Sequence, residues 1–151
     1  MNGQIDIYTN LLLKLSKKAL ALGELPISAI IVDPVNKKVI SACINQTKKN
    51  PIFHAEINAI LKALKLTNSK RLDKFDLYCS LEPCAMCASA ISLSRIRRVY
   101  FCLEDKKSGG FINGPKLIYS KNLHHKPKFY YGFKENIFLD LMKNFFKKKR
   151  N

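Results

Sequence analysis

The stretch "SLEPCAMCASAI", Ser80 to Ile91, sets two cysteines three positions apart, directly behind a proline and at the mouth of an apolar run of small residues. Cys84 and Cys87 are therefore i and i+3 on a predicted helix, with their sulfurs on one face a single turn apart. Pro83 is expected in the first turn, where a missing N–H costs nothing. The run Leu77 to Leu81 just before it reads as a buried strand, and "RRVYFC", Arg97 to Cys102, as the next one. Strand, helix and strand in such close succession point to a parallel crossover, because parallel strands need a long connection to return.

Working outward, "HAEINAILKALK" from His54 carries apolar residues at i, i+3, i+4 and i+7 and is a second crossover helix. "PISAIIVD" and "KVISACI", joined by the turn-forming "PVNK", form a predicted hairpin. Ile5, Tyr8, Leu12, Leu15, Ala19 and Leu22 follow helical spacing and stop at Gly23, a glycine cap. After Cys102 a polar loop, "EDKKSGGFINGP", leads to "KFYYGF", a short strand or loop, and to a closing helix, "ENIFLDLMKNFFKKKR". Alternating strands and helices of this kind give an α/β fold with helices packed on the faces of a sheet. No repeat or linker divides the chain, so one domain over residues 1–151 is expected.

Composition narrows the function classes. No apolar run approaches the roughly 18 residues that cross a bilayer, and residues 1–30 lack the pattern of a secretory leader, so a soluble, cytoplasmic protein with no membrane partner is expected. Five scattered cysteines make an odd set, unlike a disulfide framework. Reduced thiols or metal ligands fit better, with Cys43, Cys79 and Cys102 read as small core residues. Lys and Arg number 27 against 11 Asp and Glu, a net charge of +16 that would attract a polyanion such as nucleic acid. The same excess follows from a general bias toward Lys, Asn and Ile, so charge alone does not decide.

By itself a C-x-x-C pair is equally a redox pair or two buried small residues. His54, opening the other crossover helix, is a candidate third ligand: both helices start at the strand ends where α/β sheets place their ligands. Taken alone, His54 is a capping or core histidine and Glu56 a solvated first-turn acid. Together they offer a nitrogen, two sulfurs and a free carboxylate. Three such ligands with a fourth position open is the pattern of catalytic zinc, where the metal brings the pKa of a bound water toward neutrality. Glu56 is then placed to move that water's proton.

With "HAE" and "PCAMC" in hand, the chain resembles the zinc-dependent nucleoside and nucleobase deaminases, whose signature is H-x-E followed by P-C-x-x-C. Within them it is most similar to the tRNA-specific adenosine deaminases, and "ELPISAIIV", "EDKKSGG", "LHH" and the terminal "FFKKKR" extend the likeness over nearly the whole chain. The resemblance implies a three-layer α/β/α cytidine deaminase-like fold with a central mixed sheet of about five strands. It implies one Zn2+ per chain on His54, Cys84 and Cys87, with Glu56 as proton shuttle. Further residues carried over are Asn45 against the nucleoside, Leu81 in the base pocket, Asp105, Ser108 and His125 toward the anticodon loop, and Phe145, Lys149 and Arg150 on the last helix. The implied reaction is hydrolytic conversion of adenosine to inosine at the wobble position of a tRNA anticodon stem-loop, by a homodimer. A looped-out base is needed, since a stacked adenine cannot be reached.

Two departures from the family pattern stand out. Ser28 replaces a usual glycine, and the Asn45–His54 loop is short and ends in Phe53. A deaminase of a free base or nucleotide, of guanine or cytosine type, would use the same metal chemistry and is the alternative. A zinc-stabilised RNA-binding module without catalysis is the reading from another class.

Overall fold

Along β1 (Ser28–Asp33) successive side chains leave on opposite faces, and both faces are covered: Ala29 and Ile31 enter one core, Ile30 and Val32 the other. The same alternation runs through β3 (Asp76–Leu81), where Leu77 and Cys79 oppose Tyr78. It recurs in β4 (Arg98–Leu103), where Val99 and Phe101 oppose Tyr100 and Cys102. Near-continuous apolar strands of this kind are what a sheet buried on both sides requires. This computed structural model describes residues 2–150.

One core is closed by α2 (Ala55–Thr67) through Ala59, Ile60 and Ala63 and by α3 (Ala85–Leu93) through Ala88 and Ile91. The other is closed by α1 (Asn2–Ala21) through Tyr8 and Leu12 and by α4 (Glu135–Arg150) through Phe138 and Leu141. The result is the expected three-layer sandwich. With β2 (Lys38–Ile44) and β5 (Lys128–Tyr131) at the edges, the five strands run in the order β2-β1-β3-β4-β5.

The sheet is mixed, and the strand pattern alone did not say how. β1 is antiparallel to both β2 and β3, while β3, β4 and β5 are parallel. The β2–α2–β3 crossover therefore passes over β1, and β2, β3 and β4 all end at one edge of the sheet. Helices α2 and α3 both begin at that edge, and this is what brings their first residues together. The return from β4 to β5 contains no α-helix among the described residues, only loop and a single 3-10 turn at Leu117–Tyr119.

Ser28 is accommodated by hydrogen bonding rather than by open space. Its fully buried hydroxyl donates to the Leu12 carbonyl at 2.8 Å and lies 2.8 Å from the Ser16 hydroxyl, while its backbone N–H donates to the Ser80 hydroxyl. A hydroxyl buried without partners would be costly. Here it ties α1 to β1.

Candidate metal centre and active site

His54 and Cys84 stand at the N-cap positions of α2 and α3, both in extended backbone, and neither side chain caps its helix. Helix α3 therefore starts after Cys84, and Pro83 lies just outside it rather than in its first turn. N-cap side chains usually satisfy their own helix's free N–H groups. These two instead point across to each other. The His54 Nδ1 atom lies 3.5 Å from Cys84 Sγ and 3.7 Å from Cys87 Sγ, and the ligand atoms of all three lie within 4.8 Å of one another.

A tetrahedral zinc with its usual bond lengths to nitrogen and sulfur sets N···S edges of about 3.6 Å. The two observed edges bracket that value, so the donor set fits the ion in spacing as well as in chemistry. Cys87 is fully buried, while His54 and Cys84 are half-buried and line a cavity of about 650 Å³. An ion held by these three residues would be reached from the cavity that His54 and Cys84 line, as a catalytic site requires.

In the metal-free site one proton is held between the two sulfurs, and Cys84 is the thiol readied for a cation. Cys84 is pushed down to about 4, first by a hydrogen bond from the Cys87 thiol and further by His54, against the opposing effect of burial. Cys87 is pushed up by the same bond and by burial. The His54 imidazole is raised, chiefly by its bond to Cys84. Glu56, in the first turn of α2, is 3 % exposed and lines the cavity, with Oε2 3.6 Å from Cys87 Sγ. Burial pushes its carboxyl up to about 7, where it can take and return a proton near neutrality.

The outer residues divide. Leu81, Asp105 and Ser108 line the cavity with His54, Glu56 and Cys84. Asp105 also folds its own loop by accepting from the backbone N–H groups of Lys107 and Ser108. Asn45 is buried beside this region, and its side-chain amide donates to Thr47, which donates to the buried Glu24. His125 lies at the far end of α3, where its backbone N–H donates to Ser92 and its ring Nε2 sits 2.6 Å from the Ile96 carbonyl oxygen. It does not gather with the metal ligands.

Phe145 is turned into the core, and its neighbour Phe146, half exposed, lines the cavity in its place. Glu135, Leu139, Met142 and Phe146 form the cavity-facing stripe of α4. Three and four residues further along the same stripe come Lys149 and Arg150. The spacing from Leu139 could have picked out Met142 and Phe146 from the sequence. Nothing there marks Glu82, whose buried carboxylate meets five N–H donors: Oε1 accepts from the Asp105 backbone and the Asn113 side chain, Oε2 from the backbones of Phe111, Ile112 and Asn113.

Residues 3–103 match the family described as the cytidine and deoxycytidylate deaminase zinc-binding region. A tRNA-specific adenosine deaminase of Rickettsia bellii (strain RML369-C) is 44 % identical over 142 residues, covering 92 % of this chain and 97 % of that protein. A solved structure from work on A-to-I editing by tRNA:A34 deaminases superposes with a TM-score of 0.85 at 35 % identity, covering 90 % of this chain and 99 % of that one. The guanine deaminase of Bacillus subtilis superposes less well, with a TM-score of 0.59 at 27 % identity over 92 % of this chain and 89 % of that one.

Proposed function

The chain belongs to the zinc-binding cytidine and deoxycytidylate deaminase family, and we propose that within it this protein hydrolyses the wobble adenosine of a tRNA anticodon to inosine. One observation carries the reading: an N, S, S donor set whose N···S spacings suit zinc stands beside the buried Glu56 carboxyl, and His54, Cys84 and Glu56 line one cavity. The stronger likeness to tRNA deaminases than to a guanine deaminase supports adenosine in RNA over a free base.

His54, Cys84 and Cys87 would hold one zinc ion, and the chemistry it supplies when bound is to make a water nucleophilic near neutral pH. The chain's own residues do the rest. Glu56 takes the water's proton on its carboxylate, passes it to the ring nitrogen beside C6, and serves the departing amine in the same way, so ammonia leaves. Leu25, Ile27 and Leu81 give the cavity an apolar wall suited to the flat face of a base. Asn45 would face the nucleoside, held in place by Thr47 and Glu24. Asp105 and Ser108, on the cavity wall, would meet the flanking nucleotides of a splayed loop.

Phosphates are met by the basic surface. Lys149 and Arg150, three and four residues beyond Phe146 on α4, would take them. Phe146, exposed at the cavity wall, would offer a stacking face for an unstacked base, whereas Phe145, which the resemblance carried over as a substrate residue of the last helix, is buried. His125, away from the cavity, would meet RNA only beyond the loop nucleotides.

The protein acts as a single deaminase domain in a homodimer. Exposed Leu61 and Leu66 on α2 and Leu93 on α3, two helices packed side by side, support that pairing. No described helix is long and apolar enough to cross a membrane, and five free thiols suit the reducing cytoplasm. The test offers the zinc-loaded protein an anticodon stem-loop with a wobble adenosine, free guanine and free cytidine, and measures ammonia and, by mass spectrometry, inosine. Conversion of the stem-loop alone is expected. Release of ammonia from guanine or cytidine but not from the stem-loop would overturn the assignment.

A further inference from the structure

The carboxylate of Glu82 is 2 % exposed and has no cationic partner within salt-bridge distance among the described residues. Its charge is balanced instead by the five N–H donors of the loop that follows β4. Such a bond set is strong because the acceptor is ionised, and costly to break because each donor is then left dry. The acceptor sits just past the end of β3 and two residues before Cys84, in the segment that leads to the two cysteine ligands, and its own backbone N–H donates to the Leu103 carbonyl. The donors bracket the segment Asp105–Ser108, which is one wall of the cavity.

We infer that Glu82 is a positioning residue for substrate: it latches the 105–113 loop in the shape that presents Asp105–Ser108 to the RNA. The latch is tight. A methyl group at Gly109 would meet the Asp105 carbonyl oxygen at 2.3 Å and Glu82 Cδ at 2.6 Å. The loop also seats directly on the head of α3, where the Gly110 N–H donates to the Pro83 carbonyl at 3.0 Å. Glu82 touches no reacting atom. If the wall is formed only part of the time, apparent affinity falls by that fraction while the bound complex reacts at its usual rate. Loss of the latch therefore raises KM and leaves kcat nearly unchanged, the signature of contacts made equally in ground and transition states.

Glu82→Gln keeps the shape but replaces one acceptor oxygen with an NH2 group that faces two or three N–H donors. This inference rests on the stem-loop reading of the site, and inactivity of the parent protein would sink that reading while leaving the latch to be judged by hydrogen exchange. With an active parent, E82Q is expected to raise KM for the stem-loop about tenfold. Its kcat should stay within about threefold, zinc should stay at one per chain, and the amides of residues 105–113 should exchange faster while those of β3 do not. An unchanged KM, a loss confined to kcat, or unchanged loop exchange overturns it. Should E82Q not fold, Asn113→Ala removes one of the five donors and is expected to raise KM about threefold with the same exchange pattern. An unchanged KM in that variant is equally decisive against the latch.

Discussion

Glu56→Gln should make two changes of opposite sign, and both follow from the burial of one carboxyl. In the metal-free protein that carboxyl is raised from an ordinary 4.5 to about 7, chiefly by desolvation. The folded state thus binds the proton more tightly than the unfolded state does. Stability is full below the ordinary carboxylate range, declines as pH rises from about 4.5 to about 7, and stays reduced above that. The span corresponds to about 3 kcal/mol at pH 8. Glutamine fills the same space without a charge, so the metal-free variant should match the parent at pH 4.5 and exceed it by up to about 3 kcal/mol at pH 8. Urea unfolding of chelated parent and variant at the two pH values measures the difference. Activity moves the other way: loss of the proton shuttle should cost about 10²- to 10⁴-fold in kcat with zinc content unchanged. An E56Q protein no more stable at pH 8 than the parent, relative to pH 4.5, would refute the buried-carboxyl argument. Retention of parental kcat would refute the shuttle.

Gly110→Ala places a methyl carbon 2.3 Å from the Ala85 backbone nitrogen and 2.8 Å from the Cys84 carbonyl carbon. Neither atom can swing aside, so a loss of about 1–3 kcal/mol and weaker zinc retention are expected, read by denaturation and metal analysis. Replacing Lys149 and Arg150 together with alanine should lower the dependence of log K on log salt for stem-loop binding by about 1–2, whereas Lys147 and Lys148, off the cavity stripe, should change it less. Equal effects of the two pairs would remove the stripe's role. Ser28→Ala leaves the Leu12 carbonyl and the Ser16 hydroxyl short of a partner and should cost about 1–3 kcal/mol in unfolding experiments without altering kcat.

Much of this was legible in the residues because period and chemistry agreed. The β3–α3–β4 unit declared itself by apolar runs on either side of a helix headed by two cysteines. His54 and Glu56 gained meaning only beside them. What the pattern did not contain was long-range pairing: β1 lies between β2 and β3 in the sheet although it precedes both in the chain, and hydropathy carries no record of neighbours. The crossover from β4 to β5 lacks helical periodicity, and its first part, at Asp105 and Phe111 to Asn113, is held instead by the Glu82 carboxylate, a contact between residues far apart in the chain. Phe145 and Phe146 show the limit most sharply. Adjacent aromatics on a helix point about 100° apart, and only the packing of α4 tells which one is core and which one meets the cavity.

The central claim is a zinc ion held by one imidazole and two thiolates and open on its cavity side. Zinc-edge X-ray absorption on the purified, active protein, with metal content measured on the same sample, tests it most directly. The account predicts one zinc per chain with two sulfur and two lighter ligands, activity abolished by chelation and regained with zinc. Full activity without stoichiometric metal, or a shell lacking the two sulfurs, would contradict it.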